Sequence, residues 1–249
     1  MSNDWDFYML LVEDKPASIM VDLGIRDSAP IKTHPFMGYL RIYMNHPNPE
    51  NGLSTDKEFE KVCEIGDAVD AVIEKSAGRH IYVGRNTCAG TRDFFFYTDS
   101  LEALHSDLTE VTAKFSEYEF ENGGHEDVSW STYTDFLFPG PLDYQRIQNR
   151  RVCENLGNHG DDLQQAREID HWVYFQSKSK LKSFLQFLKE QKFEVKQTGR
   201  EKPLIGKHFV NFVRVDIPAN INPVVDELYL KCEELQGEYD GWGCTVVTE

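Results

Sequence analysis

Gly237-Glu238-Tyr239-Asp240-Gly241-Trp242-Gly243 packs a helix stop, a turn and a tryptophan flanked by glycines into one short stretch. The residues before it, Val224, Val225, Leu228, Cys232 and Leu235, recur at the spacing of one helix face, and Gly237 stands where a residue free to take positive φ ends a helix. Asn222 as N-cap and Pro223 at the first helical position start that helix. Upstream, Lys207 to Val215 reads as a strand with Phe209, Val213 and Val215 on one face, in a hairpin with Phe193 to Lys196. A helix from Ser179 places Leu181, Phe184, Leu185 and Leu188 inward, a strand runs from Ile169 to Phe175, and Cys244 to Val247 supplies the closing strand. With a preceding helix from Asp143 to Leu156 broken at Gly157, residues 141–249 hold a complete βαββαβ pattern.

Residues 1–140 hold a second set. Trp5 to Val12 and Ala17 to Ile25 are strand-forming runs joined by a turn at Glu13-Asp14-Lys15-Pro16, and a third strand spans Met37 to Met44. Thr55 with Glu58 three residues on is a capping-box signal for a helix that turns Phe59, Val62, Cys63, Val69, Val72 and Ile73 inward and ends near Gly78. His80 to Asn86 and Arg92 to Tyr97 form a hairpin around Cys88-Ala89-Gly90. A helix from Ser100 buries Leu101, Leu104, Leu108, Val111 and Phe115, and a strand near Tyr118 to Glu121 completes the set. The fold class is therefore α+β: two α/β sandwiches, the C-terminal one ferredoxin-like, the N-terminal one a related split βαβ arrangement with an added hairpin. Phe138-Pro139-Gly140-Pro141, where each residue before a proline is driven out of the α region, marks the boundary.

A hydrophobic content of 40% suffices for packed cores in spite of a net charge of −16. The charge is uneven: residues 1–143 hold 11 Lys/Arg against 26 Asp/Glu, and residues 144–249 hold 15 against 16. The acidic half repels phosphate backbones and attracts basic protein segments, which disfavours direct nucleic-acid binding and favours a basic partner. Five cysteines lack Cys-x-x-Cys spacing, Met1-Ser2-Asn3-Asp4-Trp5-Asp6 has no basic and apolar leader, and no long apolar run occurs. A reducing, cytoplasmic setting with neither export nor membrane insertion is expected.

Glu238-Tyr239-Asp240-Gly241-Trp242, taken with Arg151-Val152-Cys153-Glu154-Asn155-Leu156, Gly160-Asp161-Asp162 and Ile169-Asp170-His171, resembles the regulator of ribonuclease E activity B family over roughly residues 144–249. That resemblance implies a small cytoplasmic domain that binds ribonuclease E and inhibits RNA cleavage without catalysing a reaction. The acidic tail often found in that family is not expected here, because the sequence ends at Glu249, seven residues past Trp242. Gly84-Arg85-Asn86-Thr87, Arg92-Asp93-Phe94-Phe95-Phe96-Tyr97, and Asp127, Trp130, Tyr133 and Leu137-Phe138-Pro139 make the first half similar to domain of unknown function 695, a resemblance that implies no activity.

Signals for chemistry are sparse. The eight histidines form no zinc-type spacing and no glycine-rich phosphate loop occurs, so neither a metal nor a cofactor is expected. Trp242 is either a partner anchor or a core residue; the second reading is preferred, with Glu238, Tyr239 and Asp240 as the exposed, partner-facing part. His171 joins this candidate partner-binding set as the histidine to test as ligand or base, against the ordinary reading of a hydrogen-bonded sheet residue. The leading reading is a non-enzymatic interaction protein that docks on a ribonuclease E-type enzyme or another basic protein segment. The alternative is a small-ligand-binding or enzymatic N-terminal domain, in which Arg85 and Arg92 lower the pKa of the Cys88 thiol, against a plain hairpin loop whose arginines pair with carboxylates. A third reading, single-stranded RNA stacked on Phe209 or Phe212, is least favoured, since the two rings fall on opposite strand faces and residues 207–212 depart from the RNP1 pattern. Lys178, Lys180, Lys182, Lys189 and Lys192 read as ordinary surface lysines.

Overall fold

Residues 2–200 and 207–248 are described by the computed structural model, in two units that part between Pro139 and Gly140. Met1 and Glu249 lie outside the described residues. The N-terminal unit forms an antiparallel sheet from β1 (Trp5–Val12), β2 (Lys15–Asp22), β3 (Phe36–Tyr43), β4 (His80–Cys88), β5 (Thr91–Thr98) and β6 (Glu119–Glu126), in the spatial order β1-β2-β4-β5-β3-β6. With α1 (Asp56–Lys75) and α2 (Leu101–Lys114), the elements after the first hairpin follow the split βαβ order. Both tight hairpins use residues at positive φ, Glu13 and Asp14 in one, Ala89 and Gly90 in the other, which gives the turn the twist of its strands.

Strand alternation sends Leu40, Ile42, Phe94 and Phe96 toward the helices, where Ile65, Val69, Leu104 and Leu108 cover them. The face of α1 differs from expectation: Phe59 is exposed and Ile65 takes the core. Thr55 caps α1 by accepting from the Glu58 N–H, but the Glu58 carboxylate, instead of closing the box, is buried and accepts from the backbone N–H groups of Asn45 (3.1 Å) and His46 (2.9 Å). β6 runs on past Glu121 because Gly123 leaves room for the Tyr39 ring and Gly124 for the Met37 backbone. β1 lies at the sheet edge, with Tyr8 turned inward and Phe7, Met9 and Leu11 respectively 49%, 50% and 65% exposed, so it is apolar on both faces with one of them open.

Residues 127–138, including a π-helical turn at Thr132–Leu137, close part of the sheet face opposite the helices. Trp130 stacks on Tyr97 with ring centroids 3.9 Å apart, and the Tyr133 hydroxyl donates to the Asp22 carbonyl (2.7 Å). Asp127 fastens the segment by accepting from the N–H groups of Ser131 and Thr132 and from the Tyr97 hydroxyl. Burial opposes its charge, yet the donors from Thr132, Tyr97 and Ser131 hold the carboxyl well below the usual carboxylate range.

The C-terminal unit consists of α3 (Pro141–Asn158), β7 (Arg167–Phe175), α4 (Lys178–Glu190), β8 (Glu194–Arg200), β9 (His208–Asp216), α5 (Asn222–Glu234) and β10 (Gly237–Gly243), with strand order β10-β7-β9-β8. Ile169, Val173, Val210 and Phe212 pack beneath Phe184, Leu188 and Leu228. Phe209, Val213 and Val215 share a face of β9, but the face toward the helices is the other one: Val210 and Phe212 lie opposite Val173 and His171 and share their side, while of the first three Val213 is buried, Val215 exposed and Phe209 half-buried, its ring lying over Gly199. The closing strand is β10 itself and not 244–247. Positive φ at the end of α5 falls on Gln236, one residue before Gly237, whose bare Cα instead accommodates the Phe175 ring. α3 continues through Gly157 to Asn158, and α5 starts at Asn222 with Ile221 before it as the cap.

Candidate functional site

In the C-terminal unit the candidate surface is the groove between α3 and β10. Tyr239 pairs with Val173 and Trp242 with His171 across β7, and Asp240 sits at the register shift between them, where Gly241 takes φ +114. The bulge lets Tyr239 and Trp242 both turn inward although three positions apart, and both are buried. The Trp242 indole N–H donates to Asn149 Oδ1 (2.8 Å), and the Asn149 amide donates in turn to Asn222 Oδ1 (2.8 Å), linking β10, α3 and α5. Tyr144, Gln145, Gln148 and Val152 complete a groove of about 330 Å³. Glu238 and Asp240 are exposed, Glu238 in an ion pair with Lys207.

Tyr239 therefore does not belong to the exposed part, and His171 is not a surface residue at all. It has no exposure, stacks on Phe212 (5.4 Å between centroids), and shares a hydrogen bond between Nδ1 and the Tyr239 hydroxyl (2.8 Å). Burial, helped by the nearby Arg214 charge, pushes its pKa down to about 3, so the ring stays neutral and packs. Phe212 is in the same core, which removes it as an RNA-stacking ring.

In the N-terminal unit the three candidate residues are separated by strand alternation. Arg85 and Arg92 point to the helix side: Arg85 lies against Gly66 of α1, and the Arg92 guanidinium sits over the Phe59 ring. Cys88 points to the other side. The thiol beside Arg92 is Cys63, and burial pushes the Cys88 thiol up, opposite to the activation expected of it. Arg92 is buried, donates to Thr87 Oγ1 (2.9 Å), and has its pKa pushed down to about 10 by burial and by Arg85. Cys88 instead lines a cavity of about 510 Å³ with Met37, Tyr39, Asn86, Phe95 and Phe136. Arg41 and Asp93 form a two-pronged ion pair at its floor (2.7 and 2.8 Å).

Asn149, Asn86, Asp93 and Arg41 escape a reading based on known catalytic motifs. Their signal is a polar residue inside an apolar stretch: Asn149 in the α3 face that holds Val152 and Leu156, Asp93 beside Phe94, Arg41 between Leu40 and Ile42. Among the described residues, no group of three or more His, Cys, Asp or Glu is placed to hold a metal, and no helix is long and apolar enough to cross a membrane. All five cysteines are free.

No curated protein matches the chain. Among solved structures it is similar to a candidate glycine cleavage system transcriptional repressor, at 7% identity and a TM-score of 0.26 over 86% of this chain and 98% of that one. It is also similar to an unknown protein from Galdieria sulphuraria, at 10% identity and a TM-score of 0.22 over 83% and 96%. Likeness at that level carries no argument about the site. Two family models match in succession, the family of unknown function (DUF695) over residues 3–138 and Regulator of ribonuclease activity B over residues 146–244. With more than half of its length in the first match and most of the groove between α3 and β10 inside the second, the chain belongs to the family of unknown function DUF695 and carries behind it a Regulator of ribonuclease activity B domain.

Proposed function

We propose that this protein regulates an RNA-degrading enzyme of the ribonuclease E type by binding it, without catalysing a reaction, and that the C-terminal unit makes the contact in the cytoplasm. The match to Regulator of ribonuclease activity B carries this reading, because it covers β10 and most of α3, which form the groove. Exposed Asp240 puts a negative charge on its rim, suited to an arginine- or lysine-rich segment, while the Glu238 charge is answered by Lys207. Long-range attraction by a chain of net charge −16 speeds encounter, and the groove floor, fixed by the Trp242–Asn149–Asn222 chain, sets how long the partner stays. The enzyme is slowed by occupancy.

The test is a reconstituted cleavage assay with a ribonuclease E-type enzyme and a short RNA substrate, run with increasing full-length protein. Saturable inhibition that weakens on raising salt, and weakens further in Asp240→Lys, supports the reading. Unchanged cleavage together with no complex on gel filtration rules that enzyme class out as the partner.

A further inference from the structure

The face of the N-terminal sheet turned away from α1 and α2 carries a line of polar side chains across its middle. Asn86 lies opposite Asp93, Asp93 opposite Arg41, and Arg41 opposite Glu121, so β4, β5, β3 and β6 each contribute one. Opposed residues of an antiparallel pair share a face, and these four stand side by side. Polar groups in central strands weaken a sheet's packing, and their concentration in one line marks a place shaped for recognition. The neighbouring line is aromatic: Phe95 lies opposite Tyr39, and Phe136 from the π-helical turn meets Phe95 edge to face at 5.9 Å. The cavity between these walls, about 510 Å³, has the size of small-ligand sites.

The charges of the line are already answered within the protein. Arg41 holds both oxygens of Asp93, and the Glu121 carboxylate accepts from the hydroxyls of Tyr39 (2.6 Å) and Tyr43 (2.7 Å). Asn86 is different. It is 7% exposed, it lines the cavity, and among the described residues its Oδ1, which has almost no open surface of its own, has no hydrogen-bond partner that would hold the amide against turning its oxygen toward the cavity. An amide oxygen in want of a donor, beside aromatic walls and with the Arg41 charge already paired to Asp93, suits a flat, uncharged ring that carries a donor on its edge. Asparagine meets such an edge in the bidentate pairing it makes with adenine. The 26 Asp/Glu against 11 Lys/Arg in residues 1–143 oppose any phosphate attached to that ring.

We propose that this cavity binds a neutral nucleobase or nucleoside, with the Asn86 amide reading the base edge and Phe95, Tyr39 and Phe136 enclosing its faces. The site is distinct from the α3–β10 groove and does not rest on the regulator reading.

The experiment is a titration of the full chain with adenosine, guanosine, cytidine and uridine, and with adenosine 5′-monophosphate, read by calorimetry and by the side-chain amide resonance of Asn86. At least one nucleoside is expected to bind with a Kd below about 1 mM and to shift that resonance, with the nucleotide bound about tenfold or more weakly than adenosine. Asn86→Leu should lower nucleoside affinity about tenfold or more while leaving the circular dichroism spectrum in place. Should that variant fail to fold, the wild-type Asn86 resonance alone decides, since a site elsewhere leaves it unmoved. The proposal is overturned if no nucleoside binds at about 5 mM, or if binding leaves the Asn86 resonance unshifted. It is also overturned if a folded Asn86→Leu binds as wild type does, or if the nucleotide binds more tightly than its nucleoside, which would make this an anion site.

Discussion

Replacing Asp127 by asparagine exchanges one oxygen for an amide nitrogen and tests how the N-terminal unit closes the second face of its sheet. Oδ1 accepts from the Ser131 N–H (2.9 Å) and from the hydroxyls of Ser129 and Ser131 (3.2 and 3.0 Å); Oδ2 accepts from the Thr132 N–H (2.9 Å) and the Tyr97 hydroxyl (2.6 Å). Whichever end the new amino group takes, it faces a backbone N–H, so a charge-assisted bond disappears and a buried donor is left facing another donor. A hydrogen bond to a charged group contributes roughly 1.5–3 kcal/mol and an unsatisfied buried donor costs roughly 1–3 kcal/mol, so the loss should be about 3–5 kcal/mol. Urea unfolding of the full chain at pH 7 measures it, followed by tryptophan fluorescence and by the near-ultraviolet dichroism of the stacked Trp130–Tyr97 pair. The sign of the pH dependence follows from the depressed carboxyl pKa. Its stabilisation is complete above the unfolded value of about 3.9 and is lost as pH falls through the lower folded value. The gap between wild type and Asp127→Asn must therefore narrow below about pH 4. A loss under about 1 kcal/mol at pH 7, or a gap that does not narrow in acid, would refute this account of the anchor.

Other outcomes follow from single residues. His171 stays neutral down to about pH 3 in the folded protein, whereas the unfolded chain takes up its proton near pH 6.5; stability therefore falls as pH drops from about 6.5 toward 3, and His171→Phe should flatten that part of the profile in urea midpoints measured at pH 7 and pH 5. Asn149→Leu leaves the Trp242 indole N–H without its acceptor and should cost about 1–3 kcal/mol, with a shift in tryptophan emission; an unchanged midpoint would show that this bond holds nothing together. Cys88 should alkylate with iodoacetamide at neutral pH far more slowly than a free small-molecule thiol, and fast labelling found there by peptide mapping would contradict its burial.

Elements with a strong local signal were legible in the sequence. Ser100 and Thr55 sit as caps where their side chains accept from the third residue on, and both hairpins turn where the turn signals fall, though on two residues each, Glu13-Asp14 and Ala89-Gly90, with Lys15, Pro16 and Cys88 drawn into the strands. What failed was decided at long range. The core face of β9 depends on which residues of β7 oppose it, and a strand with apolar residues at positions of both parities, Phe209, Val210, Phe212 and Val213, leaves that register open. The inward turn of Tyr239 depends on a bulge at Asp240 that alternation does not foresee. Arg85, Cys88 and Arg92 look like one cluster along the chain, yet period-two geometry divides them between two faces, and this much could have been read from their numbers. The line from Asn86 to Glu121 comes from four strands, so only their pairing brings it together.

The two borders of the N-terminal sheet are unlike each other. On the β6 side, Glu119, Glu121 and Glu126 punctuate a strand whose middle is Gly123-Gly124, a combination that repels a second copy and offers it little to grip. On the β1 side, Phe7, Met9 and Leu11 line a margin without such defences. Chains that adhere strand to strand can propagate into a fibre only if both borders accept a neighbour. Here one border refuses, so growth by this route ends at a pair, and crowding this protein should yield dimers before it yields filaments.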